Sequence, residues 1–159
     1  MSLFVGRHVN KIDKKGRVSV PKLFRSVILE RGFQGMYVFP SFKHPALEAC
    51  SEEFLVRISN SLDDAHELFS EEQDDLTAII LESAHSLAFD PEGRIVLPPE
   101  LREHAGIEDE ALFVGRGDRI RIWEPAAYQT NHSTAFERAR SSGATLKLRR
   151  STSEDGGEK

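Results

Sequence analysis

One tract of this chain occurs twice. Asp13-Lys14-Lys15-Gly16-Arg17-Val18-Ser19-Val20-Pro21-Lys22-Leu23-Phe24-Arg25 returns 77 positions on, without a gap, as Asp90-Pro91-Glu92-Gly93-Arg94-Ile95-Val96-Leu97-Pro98-Pro99-Glu100-Leu101-Arg102. The Asp, the Gly, the Pro and both Arg coincide, and apolar residues match at three further positions. Such a repeat restricts the fold to architectures that pack two copies of one supersecondary unit. With 159 residues the chain has room for one compact domain of that design, or two small ones sharing a core.

Each copy reads as a β-hairpin with a short helix. An apolar-rich approach, Phe4 to Ile12 or His85 to Phe89, meets Asp-x-x-Gly. There the Asp side chain can accept from backbone N–H groups just ahead, and Gly supplies the positive φ of a tight reversal. Val18-Ser19-Val20 and Ile95-Val96-Leu97 form the return strand, which Pro21 and Pro98 end. Leu23, Phe24, Val27 and Ile28 then share one helical face up to Gly32, as Leu101 and Ala105 do before Gly106.

Further strands are predicted at Gly35 to Phe39 and Ala111 to Gly115. The second turns through Arg116-Gly117-Asp118 into Arg119-Ile120-Arg121-Ile122-Trp123, whose alternation predicts a half-buried antiparallel strand with the arginines on the outer face. Pro45 to Ala84 reads as two or three acidic helices, with Phe54, Ile58, Leu62, Leu68, Leu76, Ile80 and Leu81 inward. A last helix is predicted from about Ala126 to Arg140, and from Ser141 to Lys159 the loss of periodicity predicts a disordered tail.

The formal net charge of -5 argues at first sight against a nucleic-acid partner. Its distribution argues otherwise. Met1 to His44 holds nine basic residues against two acidic ones, whereas Pro45 to His85 holds one against eleven. A basic segment could hold a phosphate backbone whatever the whole-chain balance. No apolar run approaches the ~20 residues of a membrane span, and the first residues lack the apolar stretch of a secretory signal. A cytoplasmic protein without a membrane partner is expected. Cys50 is the single cysteine, so neither an intrachain disulfide nor a cysteine-based zinc site can form.

Nothing in the chain supports catalysis, a cofactor or a metal. The six histidines include no pair at ligand spacing, and neither a Gly-x-Ser-x-Gly elbow nor a phosphate loop occurs. Cys50 lies among acidic residues that would raise its pKa, which points away from a nucleophile. Asp13 and Asp90, with Gly16 and Gly93, are read as turn-forming residues.

The candidate binding residues are Lys14, Lys15 and Arg17 at the first tip and Arg94 at the second. A β-ribbon fits the major groove of B-DNA, where Arg can bond guanine O6 and N7 while Lys neutralises phosphates. The tips could project together if the copies pack about a pseudo-twofold axis. The charges could equally be ordinary solubilising ones, leaving the acidic helices as the working surface of a protein-interaction scaffold. An RNA target lacks stacking aromatics near the tips.

The pattern Asp-x-Lys-Gly-Arg-x-Ser-x-Pro, with Arg four residues past the Pro, its Asp-x-x-Gly-Arg second copy and the strand Gly-Asp-Arg-Ile-Arg-Ile-Trp-Glu, resembles the MraZ family of bacterial transcriptional regulators. More distantly it resembles the AbrB-type swapped-hairpin DNA-binding domain. The resemblance covers roughly residues 3 to 140. It implies an α+β fold in which the repeats, about 5–52 and 82–125, interlock as a pseudo-twofold swapped-hairpin β-barrel flanked by helices. It also implies a ring-shaped homo-oligomer at the nucleoid that binds short direct repeats of double-stranded DNA in the promoter of the division and cell-wall gene cluster, usually as a repressor. The family's DNA contacts carry over to Lys15, Arg17 and Arg94. Pro91-Glu92 replaces Lys14-Lys15 in the second copy, so the first is expected to supply most of the phosphate affinity.

Overall fold

A computed structural model describes residues 3–149. The fold is mixed α+β, and the chain divides into two compact units, Met1–Tyr128 and Gln129–Lys159. In order the elements are β1 (Arg7–Lys11), β2 (Arg17–Ser19), α1 (Lys22–Glu30), β3 (Gly35–Pro40), β4 (Ala46–Cys50), α2 (Glu52–Ala65) and α3 (Glu71–Thr77). A π-helical turn (Ala78–Glu82) leads into β5 (His85–Ala88), β6 (Arg94–Val96), α4 (Pro99–Ala105), β7 (Glu110–Gly115), β8 (Ile120–Trp123) and α5 (Pro125–Ser142).

Strand pairing follows the repeat. Six strands form one antiparallel sheet in the order β1-β7-β8-β4-β3-β5, and β2 and β6 form a separate two-stranded ribbon. Adding 77 to a residue number carries β1 onto β5, and adding 75 carries β3 onto β7, because α4 is two residues shorter than α1; the pairs β1·β7 (His8 opposite Phe113) and β5·β3 (His85 opposite Val38) are then equivalent. The first strand of each repeat therefore pairs with the other repeat. In the ribbon Val18 lies opposite Ile95, its own counterpart, so the pseudo-twofold axis passes through that pair. Two crossing hydrogen bonds obey the same symmetry: Val20 N–H donates to the Gly93 carbonyl (3.1 Å) and Leu97 N–H to that of Gly16 (2.8 Å).

The predicted hairpins are thus closed only at their tips. Ile12 bridges Val18, and the Asp13 N–H donates to the Arg17 carbonyl (3.0 Å). Beyond that point the two strands leave for different partners. Among the described residues the strands close no barrel; β1 and β5 are the edges of the large sheet.

The main core fills the space beside the ribbon. Val18, Val20, Ile95 and Leu97 pack there with Phe24, Leu101, Val38, Phe113, Ile120 and Ile122. Each such burial contributes ~1.5–3 kcal/mol against the entropy of ordering the chain. α1 buries Phe24, Val27 and Ile28 as its periodicity predicts, but Leu23 is 67% exposed. The Pro21 N-cap puts Leu23 in the first turn, on the side away from the core.

Three further expectations are corrected. Ala46–Cys50, assigned to the helical insert, is a strand with all five residues buried. β8 is covered on both faces: Arg121 meets Glu48 across the sheet at 2.7 Å, and Trp123 packs edge-on to Tyr128 with centroids 5.8 Å apart. Leu68 faces solvent, whereas Leu62 and Ile80 are buried. Within the second unit the helix runs on to Ser142, Gly143 adopts φ +64°, and residues 144–149 lack regular structure. The expected disorder of residues 150–159 falls outside the described residues.

Candidate nucleic-acid interface

The two tips have the same construction. At the first, Asp13 Oδ1 accepts from the N–H groups of Lys15 (3.0 Å) and Arg17 (2.9 Å), and the Gly16 N–H donates to the Asp13 carbonyl (2.9 Å). At the second, Asp90 Oδ1 accepts from Glu92 and Arg94 (both 2.9 Å), and the Gly93 N–H donates to the Asp90 carbonyl (2.9 Å). Gly16 and Gly93 take φ of +87° and +79°. The Asp-x-x-Gly turn inferred from the residues is present at both places.

Each Asp also grips the candidate arginine. Arg17 Nε donates to Asp13 Oδ2 at 2.6 Å, and Arg94 Nε to Asp90 Oδ2 at 2.7 Å. The backbone N–H of Arg17 and then its side chain, partly opposed by desolvation, hold the Asp13 carboxyl below the usual carboxylate range; Arg94 does the same to Asp90. The bond to Asp90 in turn raises the Arg94 pKa. The Nε bond ties each guanidinium to its turn Asp. Arg94 Nη1 also lies 3.6 Å from Glu92. Asp90 and Glu92 outweigh Arg94 at the second tip, while Lys14, Lys15 and Arg17 outweigh Asp13 at the first.

The ribbon brings both arginines to one surface. Arg17 lies opposite Val96 and Ser19 opposite Arg94, while Val18 and Ile95 point into the core. The outer face therefore presents Arg17, Ser19, Arg94 and Val96, with the arginines as diagonal neighbours on adjacent strands, a spacing of ~7–8 Å. Ser19 and Val96 are exposed. Lys14 and Lys15 stand exposed at the turn beyond Arg17. A cavity of about 640 Å³ flanks this face, lined among others by Arg7, Lys22, Arg25, Asn10 and Glu92. These three basic residues belong to the basic segment of the sequence, and of them only Arg25 recurs in the repeated motif.

The second arginine of each repeat has a role that sequence reasoning missed. Arg25 Nη1 donates to the Val20 carbonyl (2.8 Å), and Arg102 Nε to the Leu97 carbonyl (3.1 Å). Each then crosses to the other repeat. A Cβ at Gly93 would fall 2.4 Å from Arg25 Nη1, and one at Gly16 would fall 3.2 Å from Arg102 Nε and 2.6 Å from the Leu97 carbonyl oxygen. The glycines thus serve twice, for their φ and for the close approach of the opposite repeat. The recurrence of Arg four residues past the Pro was the available signal.

Cys50 is buried, and burial first, then Glu48, pushes its thiol up to about 12. No group of histidine, cysteine and carboxylate side chains able to hold a metal occurs among the described residues, and none of their helices is long and apolar enough to cross a membrane.

Comparison with known proteins gives one consistent result. A family model described as MraZ protein matches residues 80–150. A protein of Pelagibacter ubique named transcriptional regulator MraZ is 42% identical over 145 residues, 91% of this chain and 93% of its own length. Its namesake in Parvibaculum lavamentivorans is 46% identical over 129 residues, 80% of each chain. That of Rickettsia canadensis is 37% identical over 147 residues, 92% of this chain and 98% of its own.

Proposed function

The chain belongs to the MraZ family of transcriptional regulators, and from that premise we propose that it binds double-stranded DNA in a sequence-specific manner through the outer face of the β2–β6 ribbon. The observation that carries this reading is the placement of Arg17 and Arg94, each held by its turn Asp, on one exposed face built by both repeats. In the major groove the Nη groups of each arginine would bond guanine O6 and N7. Exposed Val96, directly across from Arg17, suits contact with a thymine methyl. Lys14 and Lys15 would neutralise phosphates. The net negative second tip leaves most of that electrostatic work to the first.

In this reading the exchange of strands between repeats is an AbrB-type swapped hairpin. The two repeats act as one DNA-binding domain spanning about residues 3–140, in a cytoplasmic, nucleoid-associated protein. Copies assemble into a ring that sets several ribbons against direct repeats about one helical turn apart, ~10 bp. The target is the promoter of the division and cell-wall gene cluster, and the effect is repression.

Gel-shift titration of the protein's own upstream region tests the site. Arg17→Ala and Arg94→Ala should each weaken binding to the specific site by about 1–3 kcal/mol, the worth of a bidentate base contact, with circular dichroism unchanged. Folded variants that bind as wild type remove the assignment. The rival reading, a scaffold working through its acidic helices, draws on exposed Leu68 and Phe69. It requires DNA binding that is absent or insensitive to salt.

A further inference from the structure

The loop between α2 and α3 is built to hold two large apolar side chains in solvent. Leu68 and Phe69 are 69% and 85% exposed, and Phe69 is the one described non-glycine residue with positive φ, +68°. A bulky residue in that region is strained and persists only where its surroundings enforce it. Here they do. The Phe69 N–H donates to Gln73 Oε1 (3.1 Å), buried Gln73 donates from Nε2 to Asp63 Oδ1 (3.2 Å), and Ser70 Oγ caps α3 by accepting from the Gln73 N–H (3.2 Å).

The same chain carries a hollow of opposite character. A cavity of about 390 Å³ is floored by Phe39, Phe54, Ile58 and Ile80 and edged by Phe42, itself 57% exposed. Lys43, Arg119 and Arg121 line it against one carboxylate, Glu48. Glu48 Oε1 is buried and has no hydrogen-bond donor among the described residues. The knob has the reverse charge. Asp63, Asp64, Glu67, Glu71 and Glu72 surround it, and no Lys or Arg occurs between Arg57 and Arg94.

Phe54, in the first turn of α2, stands ~17 Å along the helix from Ala65, beyond which the knob follows. We propose that the Leu68–Phe69 knob of one copy seats in the Phe39–Phe54–Ile58 hollow of the next, making a head-to-tail contact that propagates around the assembly. Each copy then offers one knob and one hollow, a heterologous contact that closes into a ring when its rotation permits. Apolar complementarity supplies the attraction, and acidic-against-basic rims fix the orientation. The inference rests on the ring reading above and names its surface.

The test combines light scattering with cross-linking of the full chain. Wild type should elute at a multiple of 17.9 kDa. Phe69→Asn, a residue at ease with left-handed backbone, should elute at the protomer mass with unchanged circular dichroism. Mixing Glu67→Cys protein, which keeps the knob, with Phe42→Cys protein under oxidant should give a cross-linked dimer that neither gives alone, since native Cys50 is buried. If wild type assembles but Phe69→Asn remains equally large, or the mixed cross-link is missing, the ring survives and this surface is wrong. A monomeric wild type overturns the ring and the knob together.

Discussion

Gly16 and Gly32 share a backbone conformation, with φ of +87° and +86°, but not an environment. A Cβ at Gly16 would fall 2.6 Å from the Leu97 carbonyl oxygen, whereas one at Gly32 would meet nothing within 4 Å. Gly32→Ala should therefore cost only the left-handed strain of ~1–2 kcal/mol. Gly16→Ala should cost distinctly more, because it also drives the Arg102 clamp and the opposite repeat away. Urea unfolding of the two variants compares them directly, and equal losses would mean that the repeats do not press together at the tip. Asp13 and Asp90 make a second prediction. Their carboxyl pKa values are lowered on folding, so they bind protons less readily folded than unfolded. Their stabilisation is present above the ordinary value of 3.8 and is lost as pH falls through the lower, folded value. The stability gap between wild type and an Asp13→Asn, Asp90→Asn variant should hold from neutral pH to about pH 4 and shrink below it, as thermal unfolding across that range would show.

β4 shows what the chain concealed and why. Ala46-Leu47-Glu48-Ala49-Cys50 has no β-branched residue, and Ala, Leu and Glu favour helix, so local preference points the wrong way. Tertiary context decides: Glu48 lies opposite Arg121 in the β4–β8 ladder, and both side chains are largely buried. Without Arg121, buried Glu48 loses its hydrogen-bonded partner and keeps only Arg119 Nε, 3.7 Å away. Arg121→Leu should destabilise by ~3–5 kcal/mol, whereas Glu48→Leu with Arg121→Leu should recover much of the loss, measured as unfolding free energies in a double-mutant cycle. The signal for β4 lay in the repeat, because the turn and return strand after β7 require a counterpart after β3. The tips were legible because Asp-x-x-Gly is a local instruction, carried out within five residues. The clamps of Arg25 and Arg102 and the exposure of Leu68 depend on what the chain meets after folding. Periodicity assigned Leu68 to a helical face, but the loop closed by Gln73 carries it outward.

At the scale of the whole molecule, affinity for DNA becomes a matter of how many ribbons act together. One ribbon contributes few cations: Lys14 and Lys15 on phosphates give a log–log salt slope of only ~1.8, at ~0.9 for each phosphate neutralised. A ring that engages several ribbons multiplies that slope and makes each later contact intramolecular, a gain of ~10²–10⁴ in apparent affinity. These two consequences have one cause and should disappear together. On DNA carrying a single repeat, wild type and Phe69→Asn should bind alike, with the same shallow slope. On DNA carrying three repeats, wild type should bind far more tightly with a steep slope, while Phe69→Asn should keep its single-repeat values. Fluorescence anisotropy across a salt series on both DNAs measures all four cases. If Phe69→Asn is monomeric yet retains the steep slope on three repeats, the added affinity comes from contacts within one chain, beyond Lys14 and Lys15. The flanking residues Arg7, Lys22 and Arg25 would then be the next cations to substitute.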